Sequence, residues 1–248
     1  MKKATAWILG AAVLMTLAAL PVSGQAVKMV LDKMIEASGG RKAIGAVKDM
    51  TTTGTVELVQ MAASAPITMY QKEPNKMRFD LDLSELQAGL IFTQAYDGIK
   101  GWGTNQQTMA IEEMSEAQSK DFAHQALGNE ALLNPEKLGI TYALKPKATL
   151  EGKDYIVLEQ TLADGHKTSI YLDPSTYLPY KSVTETLDQM SGALVETESY
   201  TTDYRKVVGG LMVAHSIRAL AGGVESMRIT ILTVAINSNL DDALFLMK

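Results

Sequence analysis

The sequence predicts an α+β fold: a large curved antiparallel sheet of consecutive hairpins, with helices confined to two stretches. Three observations carry this. Residues 170–183 read Ile-Tyr-Leu-Asp-Pro-Ser-Thr-Tyr-Leu-Pro-Tyr-Lys-Ser-Val, two β-prone runs flanking Asp173-Pro174-Ser175-Thr176. Proline after aspartate presets φ for a tight turn, so this is a hairpin. Pro179 removes a ladder donor, which puts the second arm at a sheet edge or beside a bulge. The same succession of β-prone run and turn recurs over 51–110 and 140–237, and only 26–47 and 112–138 read as helix.

The chain opens with Met1-Lys2-Lys3, an almost unbroken apolar run from Ala6 to Leu20, and small residues in Pro21-Val22-Ser23-Gly24. This is the pattern of a cleaved secretory signal peptide over residues 1–24, leaving 25–248 as one domain. The apolar run is shorter than the roughly 20 residues a membrane span needs. Without Lys2 and Lys3 the formal net charge moves from −5 to −7. An acidic chain with no polybasic segment argues against nucleic acid or an anionic membrane surface as partner. With no cysteine there is no disulfide, no thiol nucleophile and no lipid-attachment cysteine.

In the first helical stretch Val27, Val30, Leu31, Met34 and Ile35 recur at spacings of three and four, opposite Lys28, Asp32, Lys33 and Glu36. Ser38-Gly39-Gly40 ends it, and a short helix over 41–47 leads to the first strand. The period then becomes two. Runs 55–61 and 67–71 are short strands, and Met77, Phe79, Leu81 and Leu83 alternate with Arg78, Asp80 and Asp82. Run 90–95 turns at Tyr96-Asp97-Gly98 into 99–103, since Asp-Gly supplies the positive φ angles of a tight hairpin.

Residues 112–138, rich in Glu, Ala, Gln, Leu and Lys, form a helical insertion, split at Gly128-Asn129 and stopped by Asn134-Pro135. Beyond it, runs 140–144, 155–162, 167–172, 178–183, 195–205, 212–219 and 226–236 form a meander. In the last run Met227, Ile229, Ile231 and Thr233 face one way, and Arg228, Thr230, Leu232 and Val234 the other. Apolar on much of both faces, that strand belongs in a central, covered position.

Catalytic patterns are lacking. His124, His166 and His215 have no second ligand at metal spacing, Gly39, Gly40 and Gly45 make no phosphate loop, and no Gly-x-Ser-x-Gly elbow occurs. Glu112-Glu113 and Asp241-Asp242 read as surface charge. No enzyme activity, metal or cofactor is expected. The positive signal is 14 methionines, side chains that suit an irregular or exchangeable apolar partner. Met69, Met77, Phe79, Leu81, Phe92 and Trp102 are the candidates to line an apolar cavity on one face, with Tyr171 and Tyr180 as further candidates.

Several segments, taken in order, resemble the LolA-like family of envelope lipoprotein carriers and outer-membrane lipoprotein-sorting proteins. They are the leader, Met34-Ile35-Glu36-Ala37-Ser38-Gly39-Gly40, Thr53-Gly54-Thr55, Ala95-Tyr96-Asp97-Gly98 with Gly101-Trp102, and residues 171–179. Residues 204–211 and the ending Leu240-Asp241-Asp242-Ala243-Leu244-Phe245 complete the set. The resemblance spans nearly the whole mature chain, and the Asp-Pro-x-Thr-x-Leu-Pro hairpin is its most specific piece. It implies a strongly curved antiparallel sheet forming an open, incomplete β-barrel whose hollow side is covered by helices. It further implies a periplasmic, monomeric carrier for acyl chains of lipoproteins or lipids, exchanging with envelope donor and acceptor proteins. The alternative is a non-catalytic interaction subunit of an envelope complex, its barrel filled by its own side chains.

Overall fold

The structure is a computed structural model that describes residues 24–85, 87–105, 107–188 and 192–248. The expected signal peptide therefore lies outside the described residues, except for Gly24. Helix α1 (Gly24–Ala37) begins there and buries Val30, Leu31, Met34 and Ile35, the stripe its spacing predicts. Gly39, at φ 125°, reverses the chain into α2 (Gly40–Ala46).

Six strands follow: β1 (Asp49–Leu58), β2 (Ala63–Lys72), β3 (Lys76–Asp82), β4 (Ile91–Tyr96), β5 (Gly101–Thr104) and β6 (Ile111–Glu113). Helices α3 (Glu116–Gln125) and α4 (Glu130–Leu133) come next, then β7 (Thr141–Leu150), β8 (Lys153–Thr161), β9 (Lys167–Leu172) and β10 (Pro179–Leu187). The last strands are β11 (Leu194–Lys206), β12 (Met212–Ala221) and β13 (Val224–Ile236). Together they make one 13-stranded antiparallel sheet in the order β6-β5-β4-β3-β2-β1-β13-β12-β11-β10-β9-β8-β7. Among the described strands, the only step between non-neighbours runs from β6 to β7, and the α3–α4 segment makes it. The helices thus link the two edges of the sheet. Those edges do not pair with each other, so the sheet is open.

Both edges carry features that discourage pairing with another chain. Strand β6 is short and bears Glu112 and Glu113, while β7 breaks register between Lys145 and Ala148, around Pro146. The main core lies between α1, α2 and the sheet, where Leu158 and Leu172 are fully buried against Ile35 and Ile44.

The hairpin at 170–183 forms as expected. Leu178 O accepts from Asp173 N, and Asp173 Oδ1 accepts from the Ser175 N–H and hydroxyl at 2.8 and 2.6 Å. Register shifts between Pro179 and Lys181, so the proline sits at a bulge in an interior strand. Three expectations need correction. Strand β1 begins at Asp49 and ends before Val59–Met61, a 3₁₀ turn. Ile111–Glu113 is a strand, because the helix start is fixed by Ser115, whose side chain and that of Gln118 form a reciprocal capping box. Strand β13 is central, but Leu232 and Thr233 are exposed on one face: a bulge opposite Thr53 and Gly54 turns Thr233 outward and Val234 inward.

After β13 the chain crosses back over β1, β2 and β3. Asp242 bridges Lys72 and Lys76 at 2.9 and 2.8 Å, and Arg78 donates to Leu244 O at 2.8 Å. The hydrogen bond from Lys76, then that from Lys72, brings the Asp242 carboxyl down to about 2. The Asp241-Asp242 pair is therefore partly a clasp rather than simple surface charge.

Candidate functional site

Cross-strand register sorts the side chains onto two faces. Met77, Phe79 and Leu81 on β3 stand opposite Gln71, Met69 and Ile67 on β2, and opposite Tyr96, Gln94 and Phe92 on β4. The helices cover this face. Phe79 stacks on Phe122 of α3 with ring centroids 6.0 Å apart, and Met77, Tyr96 and Met114 close around the pair. Met69, Leu81 and Phe92 join Val56, Ile67, Ile229 and Ile231 in a neighbouring apolar cluster. Five of the six expected residues therefore share one apolar face.

Trp102 does not join them. It pairs with Ala95, which pairs with Arg78, so strand alternation places it on the opposite face. There its Nε1–H donates to Phe245 O at 2.7 Å, and the Arg78 guanidinium lies 5.6 Å above the ring. Gly101 faces the helices instead, and a Cβ on it would stand 2.6 Å from Met114 Sδ. Tyr171 and Tyr180 also lie on the opposite face. Lys181 pairs with Tyr171 in register and sits 5.6 Å from its ring, while Tyr180 stacks on Tyr155 at 4.8 Å. Buried Lys181 ion-pairs with Glu198 at 2.7 Å, and bonds to Glu198 and Tyr200 raise its pKa despite desolvation, the largest single influence.

A cavity of about 660 Å³ lies under the helices, beside the apolar patch rather than on it. That volume falls within the range of small-molecule sites, roughly 300–1,000 Å³. Its floor is built by Gln160, Thr168, Ile170, Ser182, Thr184 and Thr186 of β8 to β10, and none of the six residues expected from the sequence lines it. Its cover comes from α3 and the α3–α4 corner, with Asp121, His124, Leu127 and Leu132, and Met34 of α1 adds to one wall. The alternation Thr168, Ile170, Leu172 was a legible sign that β9 sends every second residue to this face. Nothing in the composition singled out the hydroxyls.

Two sets of contacts hold the cover down. At the turn between β8 and β9, Asp164 binds Lys120 at 2.9 Å and His124 Nε2 at 2.8 Å, and the His124 and His166 rings stack at 4.1 Å. The hydrogen bond from Lys120, followed by those from His166 N–H and His124, holds the Asp164 carboxyl well below the usual range. Burial, then the charge of His124, lowers His166, whose Nε2 lies 2.8 Å from Thr184 Oγ1. At the other end Glu73 binds the α3–α4 corner, and burial raises its carboxyl pKa. Asp121 accepts from Gln125 at 3.0 Å and from Leu187 N–H at 3.4 Å.

Among the described residues no three His, Cys, Asp or Glu side chains gather where they could hold a metal ion. No helix among them is long and apolar enough to cross a membrane.

No family model matches the sequence, and no curated protein matches it either. Solved structures do match the fold. An outer membrane lipoprotein-sorting protein domain from Vibrio parahaemolyticus superposes with a TM-score of 0.61 at 16% identity, covering 88% of this chain and 97% of that one. A DUF1329 family protein from Desulfovibrio piger gives 0.58 at 15% identity, covering 88% and 96%. A LolA superfamily protein from Nitrosomonas europaea gives 0.56 at 15% identity, covering 89% and 97%. Over nearly its whole described length, the chain has the α+β fold of LolA superfamily and lipoprotein-sorting domains.

Proposed function

We propose that this protein is a non-enzymatic periplasmic carrier or binding protein for the acyl chains of lipoproteins or lipids. The observation that carries this reading is the cavity of about 660 Å³ between α3, α4 and the sheet, next to an apolar patch on the same face. Helix α3 packs against β4 and β5 on one side and β10 on the other, strands far apart in the sheet order. That contact supports a strongly curved, incomplete barrel with α3 and α4 as its cover. The likeness of fold to lipoprotein-sorting domains supports acyl cargo.

The energetics fit a carrier. Each buried CH₂ contributes about 0.8 kcal/mol, so a long chain supplies on the order of 10 kcal/mol before the ordering costs are subtracted. Met69, Met77, Phe79, Leu81 and Phe92 give the chain its apolar bed once the cover moves. Export rests on the leader at residues 1–24, and the working form is a monomer that exchanges cargo with envelope donor and acceptor proteins.

Native mass spectrometry of protein gently extracted from its own envelope tests the reading. Co-purifying acyl species are expected, and repeated recovery free of lipid would refute it. A second reading, an interaction subunit with a filled barrel, draws on one observation. Val56, Ile67 and Ile231 are 2%, 7% and 3% exposed, covered by the protein's own side chains.

A further inference from the structure

The helix-covered face is chemically divided, and the division names the kind of amphiphile it takes. Across β13, β1, β2, β3 and β4 one register line reads Ile231, Gly54, Ile67, Leu81, Phe92, with no polar side chain. Across β7, β8, β9, β10 and β11 another reads Tyr142, Gln160, Thr168, Thr184, Thr197, with no aliphatic one. Ser182 and Thr186 flank that second line, and both line the cavity. A sheet face needed only to bury helices would gain nothing from such a row, because a hydroxyl taken from water costs free energy unless it is bonded.

In the structure the row is held by bonds among its own members, to His166, and to the carbonyls of Ala131 and Lys167. Gln160 Nε2 donates to Tyr142 OH at 2.7 Å, Thr168 Oγ1 to Thr184 Oγ1 at 3.3 Å, and Thr186 and Thr197 share a bond of 2.6 Å. Thr184 Oγ1 already has three partners, Thr168, His166 and Lys167 O, but a hydroxyl has one donor and two acceptor positions, so the bonds of Thr168 and Thr186 leave capacity unused. None of the five residues on the line carries a fixed charge. At the Thr186 end Asp121 brings a negative charge, since it accepts the Leu187 N–H at 3.4 Å, although Lys48, Lys72 and Lys76 also line the cavity. A fatty carboxylate placed on the row would face that anion.

We propose that the Gln160–Thr168–Ser182–Thr184–Thr186 surface is a polar subsite for the uncharged, hydrogen-bonding part of an acyl amphiphile. Its glycerol hydroxyl, ester or amide lies on this row, and its chain runs toward the Leu81–Phe92 side. The inference rests on the carrier reading above and adds to it the class of head group.

Equilibrium binding of monolauroylglycerol and of laurate, equal in chain length, tests it on the purified protein. The wild type should prefer monolauroylglycerol by about tenfold, the worth of one or two net hydrogen bonds. The isosteric pair Thr168→Val with Ser182→Ala should abolish that preference while leaving laurate affinity within about twofold. Gln160→Leu, made separately, should reduce the preference in the same direction, and unchanged far-ultraviolet circular dichroism confirms folding. If the wild type binds both ligands equally, or prefers laurate, the subsite is wrong and the carrier stands. Absence of binding by either ligand, and of any acyl species from native extracts, overturns both.

Discussion

Both carboxylate oxygens of Glu73 accept the backbone N–H of Asn129, at 3.0 and 3.1 Å, and so fasten the α3–α4 corner to the turn between β2 and β3. Asn129 in turn donates its side-chain amide to Ile44 O and Val47 O at 2.8 and 3.2 Å, adding the end of α2. Gly128 permits this approach, since a Cβ there would lie 2.2 Å from Pro74 O and 2.3 Å from Glu73 Oε2. With Asp164 gripping Lys120 and His124 at the other end, the cover is pinned to both halves of the sheet. Opening it means breaking one pin.

The Glu73 pin has a pH dependence that a melting experiment reads. Burial raises its carboxyl above the ordinary value of 4.5, and the Asn129 N–H pulls only partly the other way. The folded state therefore holds this proton more tightly than the unfolded chain does. Glu73's contribution to stability is complete below its ordinary value and is lost as pH rises through the folded value. Glu73→Gln does not titrate, so it should gain on the wild type between about pH 4 and about pH 7. Melting temperatures of both proteins at the two pH values check this, and parallel profiles would contradict it.

Phe245 and Trp102 report on the opposite face. Phe245 is fully buried, and its carbonyl holds the indole N–H of Trp102, the one tryptophan among the described residues. Phe245→Ala should cost about 3–5 kcal/mol, as aromatic truncations in cores do. In a protein made without residues 1–24 it should also red-shift the tryptophan fluorescence as the tail lifts from Trp102. A destabilised protein with unshifted emission would mean that Arg78 alone shields the ring.

The sheet was legible because its signals are local: period-two runs, Asp-Gly and Asp-Pro corners, and a glycine stop after Ile35. The sharing of one face by Met77, Phe79 and Leu81 followed from alternation alone. Trp102 was misplaced because its face depends on register with β4, two hairpins' worth of pairing that composition does not encode. The cavity was missed for a related reason. Its polar residues come from three strands, each unremarkable alone, and only the pairing of Gln160 with Thr168 and of Thr168 with Thr184 makes them a row. His124 and His166, 42 positions apart in sequence, likewise meet only when α3 crosses to the β8–β9 turn.

Gly54 marks the seam where the two halves of the chain meet. It sits at the bulge between β1 and β13, and a Cβ there would stand 2.2 Å from Thr230 O, a backbone atom that cannot swing aside. Gly54→Ala should therefore destabilise by about 1–3 kcal/mol through forced strand separation. Gly152→Ala, at a turn with open space around it but φ 79°, tests backbone conformation without a clash. Urea unfolding of both variants separates the two effects. A Gly54→Ala protein as stable as the wild type would show that β1 and β13 slide past each other freely.

Phe122 is the apolar anchor of the cover, 3% exposed and stacked on Phe79. Helix α3 has only 10 residues, too few to persist in water without tertiary packing. Removing the ring should thus release α3 locally before it unfolds the sheet. Phe122→Ala should weaken α3 by about 3 kcal/mol, which speeds exchange of its amide hydrogens by about 100-fold. Amides of β13 and β1, central in the sheet order, should exchange as in the wild type. Exchange followed by mass spectrometry distinguishes the cases: uniform acceleration through β1 and β13 would mean that α3 and the sheet open as one unit, leaving no separately movable cover over the cavity.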